Sequence, residues 1–213
     1  MKQTVKRAYS SDRRRQQAEV TRGAILRAAQ TLFVANGYTA TTIQAVADEA
    51  GVAVQTVYAV FKNKRQLLDQ LIEAAIVGGA DADAGVTHTA EVDAIGAEPD
   101  PRRRAEMDAA MTRAIAERVA PIVRVAQEAA ASDPEFAAVF EAMKARRREE
   151  MSDMVRVLGA QSPLRMSGQQ AAATLYVLYS PMVADMLMID LGWSAAKYEK
   201  WLADMLYFSL LEP

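Results

Sequence analysis

Residues 41–68 read TTIQAVADEAGVAVQTVYAVFKNKRQLL, and this stretch decides how the N-terminal part of the chain folds. Apolar residues recur at helical spacing on both sides of Gly51, which indicates two short amphipathic helices separated by a turn. Helices that cross closely need a small residue inside the contact and a glycine at the turn, and Ala47 and Gly51 occupy these positions. With Thr41 or Thr42 as the N-cap of the first helix, the stretch predicts a helix-turn-helix.

The second helix of this pair is predicted to turn polar side chains outward near its N-terminus. These residues are Gln55, Thr56 and Tyr58, and hydroxyl groups and lysines stand on either side of them. Short polar side chains at this place can read base pairs in the major groove, and glutamine can pair bidentately with adenine. Flanking hydroxyls and lysines suit phosphate oxygens. The pattern therefore predicts a DNA-binding helix with Gln55 as the best candidate for base readout.

Residues 20–76 resemble the DNA-binding domain of the tetracycline-repressor (TetR) family. Upstream of the quoted stretch, the Leu-Phe pair and the Gly-Tyr pair within residues 32–38 match the end of the family's first helix. The other matching positions, at the family's spacing, are Thr41, Thr42, Ala47, Ala50, Gly51, Val52, Thr56, Val57, Tyr58, Phe61, Lys64, Leu67 and Leu68. The resemblance implies a homodimer that binds a palindromic operator in double-stranded DNA.

The resemblance also implies individual DNA contacts. Thr42 would contact a phosphate at the start of the second helix, Gln44 would reach a base or a phosphate, and Tyr58 and Lys64 would hold phosphates. Val60 stands where the family often has a histidine or another large polar residue, which leaves one family phosphate contact without its usual side chain. The predicted DNA-binding residues of this domain are Thr42, Gln44, Val54, Gln55, Thr56, Tyr58, Lys62 and Lys64.

Residues 1–16 are polar and basic, and their composition predicts a flexible arm that runs into a helix. Two roles stay open for Arg13, Arg14 and Arg15: insertion along the minor groove, or nonspecific attraction by a solvated tail. The charge of the whole chain favours DNA contact at this end. Residues 1–78 carry 11 Lys and Arg against 6 Asp and Glu, whereas residues 79–213 carry 14 against 21.

Composition argues against several other classes of protein. The chain has no cysteine and one histidine, His88, so disulfides, thiolate metal sites, zinc sites and Ser-His-Asp triads have little support. We predict no enzyme, no cofactor and no metal; an active site built from carboxylates alone is the remaining enzymatic alternative. No run of about 18 apolar residues lacks a charge, and no apolar stretch follows the basic N-terminus. We therefore expect a cytoplasmic protein without a membrane partner.

The remaining sequence predicts an all-α protein of about nine helices. Four segments are expected: a basic arm (1–16), a helix-turn-helix domain with a connecting helix (17–78), a mobile linker (79–100) and a helical effector-binding and dimerisation domain (101–213). Within the last segment, Pro121 is predicted to end a helix, and Pro181 to kink a long helix over residues 168–191.

Two functional surfaces are predicted in the second domain. The family resemblance implies a pocket for a small apolar or amphipathic effector, and the candidate lining residues are Met107, Met111, Ile115, Phe136, Phe140, Met143, Tyr176 and Tyr179. The same residues also fit an ordinary core. The last two helices are apolar over most of their circumference, which favours a four-helix dimer interface that contains Met182, Met186, Ile189, Trp201, Met205 and Phe208. Release by an effector is the favoured mechanism; control by a partner protein or by concentration is the alternative.

Overall fold

The computed structural model describes residues 3–77 and 90–210, except for the side chains of residues 3–14, 77 and 161. Within these ranges the chain is all-helical without a strand, as predicted. The helices are α1 (Gln3–Ala40), α2 (Ile43–Ala50), α3 (Val54–Phe61), α4 (Lys64–Val77), α5 (Ala90–Ala97), α6 (Pro101–Ser132), α7 (Pro134–Gln161), α8 (Gly168–Leu178), α9 (Pro181–Asp185) and α10 (Ala195–Leu210). A single π-helical turn, Met186–Asp190, continues α9.

Local capping signals place the ends of the short helices. The Thr42 hydroxyl accepts a hydrogen bond of 3.1 Å from the backbone amide of Ala45, which makes Thr42 the N-cap of α2 as predicted. Gly51 ends α2 in the left-handed conformation (φ 67°), where glycine has no steric penalty. In the second domain, Asp133 caps α7 and Ser167 caps α8 with a complete capping box.

Helices α1 to α4 pack around one apolar core that continues into the second domain. Its largest side chains include Phe33 of α1 and Phe61 of α3, both fully buried. The C-terminal half of α6 and the start of α7 complete this core with Ile122, Ala126 and Phe136. The helix-turn-helix domain is therefore held against the second domain by buried apolar contacts rather than by the connecting chain alone.

A second core lies between the N-terminal half of α6 and helices α7 to α10. Small residues of α6, among them Ala109, face Tyr198 and Leu202 of α10, which allows the two helices to approach closely. Ion pairs from Arg102 to Asp204 (2.6 Å) and from Arg113 to Glu199 (2.7 Å) show that α6 and α10 run antiparallel. Helix α6 thus belongs to both cores and joins the two domains.

Two segments that were expected to be irregular contain helix. Helix α1 begins at Gln3, so the predicted flexible arm is helical from that residue on. Helix α5 lies inside the predicted mobile linker, and its Ile95 is buried against neighbouring helices. Ile95 is the buried residue of α5. A helix that docks through a single buried side chain needs no continuous apolar stripe, and the sequence of α5 shows none. Residues 78–89 of the predicted linker lie outside the described residues.

Two proline predictions had different outcomes. The prediction that Pro121 ends a helix was wrong: α6 continues through it. Proline removes one backbone donor, but the flanking Ala120 and Ile122 are buried, and this packing holds the helix together. At Pro181 the expected long helix is instead divided into α8 and α9, with a bend of 45° between them. Among the described residues no single helix is long and apolar enough to span a bilayer; only this bent pair passes the length and composition test when taken together.

Candidate nucleic-acid interface

Helix α3 has one buried face and one exposed polar face. Val57 and Phe61 anchor the helix in the first core, with at most 1% of either residue exposed. Gln55, Tyr58 and Lys62 are exposed, and half of the Tyr58 surface is open to solvent. Two side chains predicted to contact DNA, Gln55 and Tyr58, therefore project from a short helix that is fixed to the domain by its apolar side, and Lys62 follows directly after its end.

The other predicted DNA contacts in the motif differ in their exposure to solvent. Thr42 and Gln44 of the α2 region are exposed, but the Thr42 hydroxyl already caps α2 and the Gln44 amide donates to Asp48 (2.8 Å). Val54 and Thr56 are half-buried, and Val54 packs against the first core. Gln44 and Thr42 are within reach of a ligand at this surface, whereas Val54 contributes mainly to packing.

Lys64 has an internal position that the sequence did not indicate. Its ammonium donates to the backbone carbonyl oxygens of Tyr38 (2.9 Å) and Thr41 (3.0 Å) and lies 4.2 Å above the Tyr38 ring. Burial lowers the pKa of Lys64, and the carboxylates of Asp133 and Glu128 partly offset this shift. Lys64 therefore ties the start of α4 to the end of α1, and its predicted phosphate contact competes with these partners.

The three arginines of the basic segment are only partly described. Arg15 is exposed and forms an ion pair with Glu19 one helical turn later, at 3.3 Å. The side chains of Arg13 and Arg14 lie outside the described residues. Their predicted roles at the minor groove or as a nonspecific attraction stay predictions.

A polar joint, which sequence reasoning missed, connects the helix-turn-helix domain to the end of α6. The Glu128 carboxylate accepts hydrogen bonds from the backbone amides of Tyr38 (3.2 Å) and Thr39 (3.3 Å), just after the helical conformation of α1 is interrupted at Gly37. Asp133 accepts from Arg65 Nε (2.7 Å) and from the Tyr38 hydroxyl (3.3 Å). The hydrogen bond from Arg65 holds the pKa of Asp133 below its ordinary value. Only the capping role of Asp133 was visible in the sequence.

The predicted effector-pocket residues do not form one lining. Phe136 is fully buried and belongs to the first core, against which Phe140 and Met143 also pack. Tyr176 and Tyr179 pack instead against the second core. The prediction of a single pocket from all eight residues was therefore wrong, because α7 contributes its beginning to one core and its end to the other. Met107, Met111 and Ile115 of α6 are half-buried.

An open cavity of about 750 Å³ lies between α7 and α8. Small residues leave this space, among them Gly159, Gly168 and Ala172, and Tyr176 is the one predicted pocket residue in its wall. Arg148 and Arg156 also line the cavity and give it two basic side chains.

A buried carboxylate lies deeper in the second domain. Oδ2 of Asp108 on α6 accepts a hydrogen bond from the Tyr179 hydroxyl, and the Thr112 hydroxyl lies near the same carboxyl group. Its other oxygen, Oδ1, is shielded from solvent and has no hydrogen-bond partner. Burial raises the pKa of Asp108 to about 6, although the two hydroxyl donors oppose this shift. Within the described residues no group of three or more His, Cys, Asp or Glu side chains is arranged to hold a metal ion.

The predicted dimer residues include an exposed apolar surface. Met186, Ile189 and Phe208 are 48%, 63% and 58% exposed, respectively. Trp201 and Met205 are half-buried and lie on the same face of α10 as Phe208, because residues 201, 205 and 208 follow helical spacing. The half-buried Met182 completes the predicted set. Val177 and Leu191, at 56% and 64% exposed, are further exposed apolar side chains that were not predicted.

Comparison with known proteins gives one sequence match and many structural ones. The family described as bacterial regulatory proteins, tetR family, matches residues 25–71. A search among curated proteins finds no match. The described fold is similar to NalD, the secondary repressor of the MexAB-OprM multidrug efflux pump in Pseudomonas aeruginosa, with 18% identity, a TM-score of 0.61 and coverage of 92% of this chain and 98% of that chain.

Two further solved structures share the fold at similar identity. A transcriptional regulator from Saccharomonospora viridis in complex with choline has 17% identity, a TM-score of 0.65 and coverage of 90% of this chain and 98% of that chain. A tetR-family regulator from Mesorhizobium loti MAFF303099 has 19% identity, a TM-score of 0.64 and coverage of 89% and 94%. The likeness extends over both domains, and these relatives are described as transcriptional regulators rather than enzymes.

Proposed function

Because residues 25–71 match the tetR family of bacterial regulatory proteins, we propose that this chain is a tetR-family repressor whose homodimer leaves its operator when a small molecule binds the second domain. Regulators of this family bind operator DNA and act as dimers. Three parts of the molecule support this proposal: α3 supports DNA contact, the exposed apolar side chains support the dimer, and α6 supports release by an effector.

The exposed polar face of α3 is the observation that carries the DNA-binding part of the proposal. Gln55 and Tyr58 project from a helix that Val57 and Phe61 fix in the core. In this position the Gln55 amide can read a base edge, while the hydroxyl of Tyr58 and the ammonium of Lys62 bind phosphates. Because α3 is fixed in the core, its DNA-reading side chains are preorganised, which lowers the entropic cost of sequence-specific binding.

The apolar surface of Met186, Ile189 and Phe208 supports the proposed dimer. Exposed apolar side chains that group together mark interaction sites more often than free surface, and Met186 and Ile189 lie within one π-helical turn. A two-fold axis through this surface would place two copies of α3 on two half-sites of a palindromic operator.

Helix α6 supports release by an effector. The helix carries Asp108 in the second core and Glu128 at the polar joint with the helix-turn-helix domain. Because an α-helix rises about 1.5 Å per residue, roughly 30 Å separate these two positions on one continuous helix. A ligand that shifts α6 would therefore move the support of the DNA-binding domain, which is the physical coupling between two sites that allostery requires.

Control without a small molecule is the second candidate. The open cavity between α7 and α8 could accept a side chain of a partner protein as well as a small ligand. The two candidates differ in one observable: only the first predicts that a small molecule alone releases DNA from the purified protein.

A competed gel shift with the DNA that flanks the protein's own gene tests the proposal. We expect a discrete complex that specific competitor removes and that the Gln55→Ala, Tyr58→Ala double variant does not form. The matched control is Gln169→Ala, which changes an exposed glutamine of α8 and should bind like the wild type. Wild-type binding by the double variant would refute the proposed interface. The same assay, with small molecules added, tests release.

A further inference from the structure

Asp108 stands out among the described carboxylates because little compensates its charge. Oδ2 accepts the Tyr179 hydroxyl, whereas Oδ1 is shielded from solvent and lacks a partner. Burying a carboxylate oxygen removes its hydrogen bonds to water. If no protein donor replaces them, the free energy of desolvation destabilises the folded state. Natural proteins usually satisfy such atoms, so an exception calls for a partner that binds there.

Within the described residues no cation neutralises Asp108. The buried carboxylate of Asp185 shows the contrast, since Arg124 lies 3.1 Å from it. Arg104, one turn before Asp108 on α6, directs its Nε to the carbonyl oxygen of Glu98 (3.0 Å). Arg147 of α7 donates to the carbonyl oxygen of Tyr176 (2.7 Å) and lies 4.3 Å above the Tyr176 ring. The arginines of the neighbouring helical turns are thus engaged elsewhere.

The surroundings of Asp108 can adapt to a ligand. Asp108 as a whole residue is half-buried, and so are Met107 and Met111 on the same helix. Methionine side chains are flexible and can repack around an apolar group. Tyr179 lies at the break between α8 and α9, directly before Ser180. A group that binds Asp108 therefore acts at the point where the helix that leads to Met186 changes direction.

We propose that the effector of this regulator carries a protonated amine, which donates a hydrogen bond to Asp108 Oδ1, and an apolar tail that packs against the methionines of α6. This inference rests on the proposed function and names the chemical class of its effector. An ammonium group supplies both the N–H donor and the positive charge that the carboxylate lacks. A hydroxyl supplies the donor alone, and a second carboxylate is repelled.

Isothermal titration calorimetry with three six-carbon probes tests this inference on the purified full chain. The probes are hexylammonium, hexan-1-ol and hexanoate, which share a tail and differ in the head group. We expect the wild type to bind hexylammonium at least about tenfold more tightly than hexan-1-ol, the ratio that one charge-assisted hydrogen bond provides, and to bind hexanoate most weakly. Equal affinity for the amine and the alcohol would overturn the inference without the use of any variant.

Two variants locate the preference. Asp108→Asn should bind hexylammonium and hexan-1-ol equally, whereas Asp153→Asn, which removes an exposed carboxylate of α7, should keep the wild-type ratio. A preference that survives in a folded Asp108→Asn variant would contradict the assignment. Operator binding is measured in parallel without probes. If DNA is bound but no amine preference exists, only this inference fails; if no operator is bound, the proposed function itself fails.

Discussion

Lys62 and Lys64 lie two residues apart but have opposite surroundings. Lys62 is exposed beyond the end of α3, whereas the ammonium of Lys64 binds the carbonyl oxygens of Tyr38 and Thr41. We expect Lys64→Met to lower the free energy of unfolding by about 1–3 kcal/mol, because two buried carbonyl groups lose their donor. Lys62→Met should change stability by less than about 0.5 kcal/mol. Urea unfolding followed by circular dichroism measures both values.

In DNA binding we expect the larger effect from Lys62, whereas in stability we expect it from Lys64. Lys62→Met should reduce the dependence of operator affinity on salt by about one phosphate contact per protomer, whereas Lys64→Met should leave this slope unchanged at a temperature where it is folded. If Lys64→Met were fully stable and lost the salt dependence instead, the internal role assigned to Lys64 would be wrong.

The buried carboxylate of Asp108 makes stability depend on pH. Its pKa is raised from 3.8 to about 6, so the unfolded chain releases this proton first as the pH rises. The folded state is therefore favoured below the unfolded value and loses stability as the pH rises towards 6. Between pH 4 and pH 7 we expect the wild type to lose about 2 kcal/mol of unfolding free energy relative to Asp108→Asn, by urea titration at each pH. A constant difference between the two proteins would contradict a buried, ionising Asp108.

At this scale the sequence reveals the residues whose task is set by their own helix. Gln55 and Tyr58 could be assigned to the exposed side of α3 because apolar residues at helical spacing define the opposite side. Lys64 and Asp108 could not be assigned, because their partners Tyr38 and Tyr179 are remote in the sequence. No local pattern distinguishes a lysine that binds phosphate from one that binds carbonyl groups.

The interruption of α1 at Gly37 is the element-scale feature that holds the polar joint. Gly37 has φ 79° and ψ 169°, a conformation that is nearly restricted to glycine, and an added Cβ would lie 2.7 Å from the Glu128 carboxylate. We expect Gly37→Ala to lower the free energy of unfolding by roughly 1–3 kcal/mol, as measured by urea unfolding.

Gly96 of α5 is the matched control for Gly37. An added Cβ at Gly96 meets no atom within 4 Å, and the residue is helical. Gly96→Ala should therefore leave stability unchanged or raise it by about 0.5–1 kcal/mol. Equal effects of the two substitutions would show that Gly37 is not conformationally constrained.

Elements were predictable where short-range chemistry sets their ends. Thr42, Asp133 and Ser167 begin helices because their side chains bind amides two or three residues ahead. The continuity of α6 through Pro121 depends instead on tertiary packing, since the adjacent Ile122 is buried in the first core with residues of α1 and α4, and no local rule contains this packing. The docking of α5 through Ile95 is likewise a tertiary effect.

For the whole molecule, the exposed apolar surface near the π-helical turn predicts the oligomeric state. Ile189→Glu places a charge among the exposed apolar side chains of this turn, and we expect it to yield monomers and to weaken operator binding, because one monomer engages a single half-site. Val157→Glu is the control, since Val157 is 58% exposed on α7 outside this surface. Sedimentation velocity reports the mass of both variants. A dimer that persists in Ile189→Glu but not in Val157→Glu would place the interface elsewhere.

The first apolar core crosses the predicted division of the chain into two domains. The expected boundary near residue 79 separates the helix-turn-helix from the second domain along the chain. In space, Ile122 and Phe136 of the second domain fill the first core together with Phe33. Amphipathic periodicity shows that a helix has a buried face, but it does not show which domain covers that face.

Selection of bound sequences from a pool of random DNA duplexes tests the central claim most directly. The purified wild-type protein is used, and the enriched sequences are compared with those from the Gln55→Ala, Tyr58→Ala variant. We expect enrichment of an inverted repeat, with two half-sites related by the symmetry of the dimer, and loss of this enrichment in the variant. No enrichment over the starting pool, or the same repeat with both proteins, would contradict the account of α3 as the helix that reads DNA.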